Sequence, residues 1–60
     1  MKILELPESG RFINADLITI VEHEVIEGVS TAVTYFASDD RLLLTGQDAE
    51  FLVAVIRDCV

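Results

Sequence analysis

A chain of 60 residues with one cysteine has to hold itself together without an internal disulfide, and that constrains this sequence more than any motif in it. His23 and Cys59 are the only residues of their types, which falls short of the four nitrogen or sulfur ligands of a structural zinc site. A folded chain this short buries only about 60% of the surface its unfolded form exposes. Yet 52% of the residues are hydrophobic. Close packing or a second subunit must supply what staples do not, and the apolar excess favours a second subunit.

Charge narrows the partners. The net charge is -7, with 11 carboxylates against 4 cations: Lys2, Arg11, Arg41 and Arg57. These cations are scattered singly and form no stripe that tracks a phosphate backbone, so nucleic acid is not expected as a partner. The same sign disfavours anionic membrane surfaces. The longest apolar run, residues 51–56, is far below the ~20 residues that span a bilayer. Glu5 interrupts the apolar residues after Lys2, so no secretory signal is expected. A cytoplasmic location is the expectation, and a single free thiol suits a reducing compartment.

Pro and Gly punctuate the chain. Residues 3–6 read as a strand ended by Pro7, with Glu8-Ser9-Gly10 as a turn. Residues 11–13 resume extended structure, and Asn14-Ala15-Asp16 reads as a tight turn or bulge. Residues 17–26, rich in β-branched side chains, form the longest expected strand. Glu27-Gly28 reverses the chain into a strand over residues 30–37. Ser38-Asp39-Asp40 then leads into a strand over 41–45. Thr45-Gly46-Gln47-Asp48 resembles a capping box and opens a helix from Gln47 to about Cys59, with Asp48 and Glu50 early and Arg57 late as the helix dipole favours. The expected fold is a single α+β domain over residues 1–60: a four-stranded antiparallel β-meander followed by one C-terminal α-helix packed on the sheet.

Apolar side chains then exceed the surface such a fold hides. On a helical wheel Ala49, Leu52, Val53, Ile56 and Val60 share the face turned to the sheet, while Phe51 and Val55 point away from it. In the long strand Ile18 and Ile20 face one way and Leu17 and Val21 the other, so both sides are apolar. One helix cannot cover both faces of a four-stranded sheet. Phe51, Val55 and the strand residues Leu17, Thr19 and Val21 are therefore the candidate interface. A bulge near Asn14 or Thr19 that tucks these residues inside is the competing arrangement.

Little in the chain resembles catalytic equipment. His23 lies between Glu22 and Glu24, but alternation along a strand sends the glutamates to one face and His23 to the other. Those three residues converge on a ligand or metal only if a site forms across an oligomer axis. Asp39 and Asp40 sit in a turn, and Cys59 has only Arg57 nearby to lower its pKa. Ser30, Thr31 and Thr34 form no nucleophile elbow, and Gly10, Gly28 and Gly46 stand apart from one another. No catalytic residue, cofactor or metal ligand is assigned. The expectation is a noncatalytic interaction or regulatory module, self-associating as a homodimer or higher oligomer, with another protein as a second possible partner.

The stretch Phe12-Ile13-Asn14-Ala15-Asp16-Leu17-Ile18-Thr19-Ile20-Val21-Glu22 resembles the FlbD-like flagellar accessory proteins, small bacterial proteins in which a strand, an Asn-x-Asp-Leu/Ile turn and a second strand run into Glu. The resemblance covers about half the chain and implies a following hairpin and a closing helix in a bacterial protein. Those proteins carry a basic Asn-Gly-Lys type of hairpin where this chain has Ser38-Asp39-Asp40-Arg41. The resemblance brings no catalytic or binding residue with it.

Overall fold

The computed structural model describes residues 2–58 and has five strands, a short 3₁₀ turn and one helix. In chain order these are β1 (Ile3–Glu5), β2 (Phe12–Asn14), the 3₁₀ turn Ala15–Leu17, β3 (Ile18–Ile26), β4 (Val29–Phe36), β5 (Arg41–Thr45) and α1 (Gln47–Asp58). All the strand pairs are antiparallel, so the expected α+β class with a C-terminal helix on the strands holds.

The four-stranded meander does not. The strands form two sheets, β1-β2 and β3-β4-β5. Residues 12 and 13, within the stretch 11–13 read as a mere resumption of extended chain, join Asn14 in β2, which pairs with β1 through Ile3↔Asn14, Leu4↔Ile13 and Glu5↔Phe12. The sheet breaks where Asn14 caps the 3₁₀ turn: its Oδ1 accepts from the Asp16 amide at 3.0 Å. A side chain that bonds its own backbone two residues on diverts the chain from ladder geometry. The Lys2 amide donates to Asp16 Oδ2 at 3.0 Å, tying the start of β1 to this turn.

Between β3 and β4 the turn chemistry is visible residue by residue. Glu27 has φ 52° and Gly28 φ 79°. Two successive positive φ values give the primed two-residue turn whose twist matches that of antiparallel strands. Gly28 adopts this geometry freely, whereas Glu27 is held there by the ladder on either side.

The core draws on every layer. Leu4, Leu6 and Ile13 from the small sheet and its turn meet Ala32 and Leu44 from the large one and Ala49 and Leu52 from the helix. Helix α1 packs on β4 and β5. Ala49 and Leu52 are buried as the wheel requires, with Val53 and Ile56 half-buried beside them. The orientation expected for Phe51 and Val55 is corrected: both are half-buried and pack on the same core. They share the side of the helix marked by Asp48, which the turn after β1 covers, so the second sheet widens the buried stripe. Val60, assigned to the sheet-facing stripe, and Cys59 lie outside the described residues.

Asp48 bolts the helix to the turn between β1 and β2. Its Oδ1 accepts from the Glu8 amide at 2.8 Å, and its Oδ2 accepts from the Ser9 amide at 3.2 Å. The capping box is thereby corrected, because the Asp48 carboxylate serves a turn 40 positions earlier instead of its own helix start. Gly46 precedes the helix at φ 63°, and a Cβ there would lie 3.2 Å from Glu8 Oε1. Glycine thus allows both the backbone bend and the close approach of the turn.

Candidate functional site

Cross-strand partners in an antiparallel ladder share a face, so the register assigns every side chain of the large sheet. Val21↔Thr34↔Leu42 and His23↔Ala32↔Leu44 lie on the helix side. Ala32, Thr34 and Leu44 are buried there. The other face has three rows: Ile20–Tyr35–Arg41, Glu22–Val33–Leu43 and Glu24–Thr31–Thr45. The main contacts of β4 and β5 with α1 lie on the helix side, and of the outer-face residues in these rows Thr31 alone is buried. Ile20 is 56% exposed and Leu43 60% exposed, and at the hairpin end Ile26 and Val29 are exposed as well. A single-layer sheet with large aliphatic side chains open to water is the main candidate site.

The bulge in β3 decides which residues are bare. The β3–β4 register slips between Ile18 and Ile20, where Ile18 pairs with Phe36 and Ile20 with Tyr35. The extra residue, Thr19, bonds through Oγ1 to the Tyr35 carbonyl at 3.3 Å. Strict alternation would put Ile18 and Ile20 together. The bulge instead sends Ile18 and Val21 to the core and leaves Ile20 outside. The competing arrangement is thus half realised: a bulge exists at Thr19, yet Leu17 and Ile20 stay exposed.

The five candidate interface residues are not brought to one place. Thr19, Val21 and Val55 line an apolar groove of about 450 Å³ between β3, β1 and α1, with Leu4, Ile18, Leu52 and Ile56. Leu17 lines a second groove of about 380 Å³ with Phe12, Phe36 and Leu42. Phe51 packs on the core. Sequence reasoning missed Ile26, Val29 and Leu43, and it named Ile20 only as facing the same way as Ile18. For Leu43 the signal lay in the run Leu42-Leu43-Leu44, because three successive apolar residues in a strand cannot all face one core.

Electrostatics on the outer face are mild. The Tyr35 hydroxyl donates to Glu22 Oε1 at 2.9 Å. That bond and the Glu22 charge hold the Tyr35 pKa above its ordinary value, with Arg41 acting the other way. His23 is separated from Glu22 and Glu24 by the sheet itself and instead borders a small cleft with Ser30, Glu50 and Arg57. Among the described residues no three of His, Cys, Asp and Glu gather in a way that holds a metal ion. At the other end of the molecule, burial raises the Asp48 pKa, but bonds from Glu8 and Ser9 and the charge of Arg11 outweigh it and leave the group below the ordinary aspartate value.

No family model, curated protein or solved structure matches this chain. Among the described residues no helix is long and apolar enough to cross a membrane.

Proposed function

We propose that the protein is a small noncatalytic interaction module that works as an assembly of copies of itself. The observation that carries this reading is the bare side of the three-stranded sheet, with Ile20 and Leu43 more than half exposed beside Ile26 and Val29. Exposed apolar residues scattered singly need no explanation, but a sheet face held open to water along three strands marks a contact surface. The net charge of -7 keeps the free chain soluble, and it opposes polyanions as partners. The resemblance to FlbD-like proteins agrees with a small bacterial accessory role.

A ligand or metal site at an oligomer axis is less favoured, since His23 and the two glutamates occupy opposite faces of β3. Light scattering on the purified chain across micromolar concentrations tests the reading. A mass that climbs with concentration toward twice the chain mass or more supports it. A single-chain mass throughout removes self-association and leaves the bare face to a different protein.

A further inference from the structure

Among the described residues the large sheet has two unpaired edges, β3 and β5, and they differ in what a second copy would meet. We infer that two copies join through β5, antiparallel about a two-fold axis at Leu43, to make one continuous sheet. This rests on the self-association reading and places the joint at an edge of the bare face, not over it.

Backbone direction comes first. The Phe36 amide bonds to the Asp40 carbonyl at 2.9 Å, and the Gly46 amide bonds to the Ser30 carbonyl at 2.9 Å. Hydrogen-bonded pairs alternate along an antiparallel ladder, so the even-numbered residues of β5 bond to β4. The amides and carbonyls of Arg41, Leu43 and Thr45 therefore point out from the edge. With the axis at Leu43, that residue meets its own copy and Arg41 meets Thr45 of the second copy. All three are hydrogen-bonded pairs, each exchanging two N–H···O bonds. The side chains of these residues lie on the bare face, where the two Leu43 side chains and the flanking Val33 residues extend one apolar stripe across the joint.

Charge decides between the edges. The β5 pairing sets no like charges opposite one another, because Arg41 faces a threonine. By the same alternation β3 turns the backbone of Val21, His23 and Val25 outward. An axis at His23 places Glu22 directly against Glu24 of the second copy, twice, and like charges directly opposite destabilise a sheet. Moving that axis to Val21 runs the ladder through the bulge between Ile18 and Ile20, and moving it to Val25 runs it off the strand at Glu27-Gly28. Acidic residues on an exposed edge are a common guard against strand addition. The β5 joint is isologous, so it closes at two copies and leaves the guarded β3 edges outermost.

The test compares the two edges by sedimentation equilibrium on the whole chain, with far-UV circular dichroism as the folding control. Leu43→Lys puts two ammonium groups face to face across the axis. Leu43→Pro removes an outward amide that β4 does not use, a position where an edge strand tolerates proline. Each is expected to raise the dissociation constant on the order of tenfold or more with the fold retained. Val25→Lys, at an exposed position on the opposite edge strand β3, is expected to leave the constant unchanged. Weakening by Val25→Lys as great as that by the Leu43 variants, or an undiminished dimer in both Leu43 variants, overturns the edge assignment while self-association stands. A wild-type chain that stays monomeric overturns both.

Discussion

The two faces of the three-stranded sheet are built from similar residues and meet different fates. On one, Ala32, Thr34 and Leu44 are sealed under α1 and the small sheet. On the other, Ile20, Val29 and Leu43 face water. Leu43 and Leu44 make the contrast within one strand: chemically identical neighbours, 60% and 3% exposed. What separates them is coverage and not hydrophobicity. A 12-residue helix lies over β4 and β5 on one side only.

Five substitutions sharpen or break that contrast. Leu44→Ala should cost about 2–5 kcal/mol in urea unfolding, because it deletes buried methyl groups and leaves a cavity. Leu43→Ala in dilute solution should change stability by no more than about 0.5 kcal/mol, as surface substitutions do. Equal costs at the two positions would mean that the outer face is covered within the single chain.

Asp48→Ala comes next, since it leaves the Glu8 and Ser9 amides without their acceptor and frees the small sheet from the helix. A fall of several degrees in melting temperature near neutral pH is expected. The Asp48 carboxyl titrates below its ordinary value, so its contribution is complete above about pH 4 and fades as pH falls through the lowered value. Thermal melts of wild type and variant should therefore converge in acid, and a constant gap down to pH 2 would refute the assignment.

Thr34→Val should stabilise the chain by about 1 kcal/mol. Thr34 is fully buried, and its Oγ1 has no hydrogen-bond partner among the described residues. An unsatisfied buried hydroxyl opposes folding, and valine keeps the branched shape without it. Loss of stability on this change would show that the hydroxyl has a partner. The smallest effect belongs to Tyr35→Phe on the open face. With its pKa raised by Glu22, the phenol contributes below its ordinary value near 10 and that contribution is lost as pH rises through the higher one. Urea midpoints of wild type and variant should differ slightly at neutral pH and converge in strong alkali.

Much of this architecture was legible one segment at a time. Glu27-Gly28 marked the hairpin, and the period shift after Thr45 marked the helix, because turn geometry and helical spacing are local properties. The split into two sheets was not legible in the same way. Residues 11–13 read as extended, but whether they pair with β1 or drift past it depends on contacts such as Glu8 with Asp48, 40 positions apart. Phe51 and Val55 were misplaced for the same reason: a wheel shows which residues share a side, and only the second sheet determines that their side is covered. The bare face was half visible. The double-sided apolar pattern of the long strand signalled it, while the bulge at Thr19 separated Ile18 from Ile20 and left Ile20 outside.

Amide hydrogen exchange at two protein concentrations tests the central claim most directly, by following Arg41, Leu43 and Thr45 against Val21, His23 and Val25. The account expects the three β5 amides to gain protection on the order of tenfold or more as concentration rises, with the three β3 amides unchanged. Fast, concentration-independent exchange at Leu43 would contradict it.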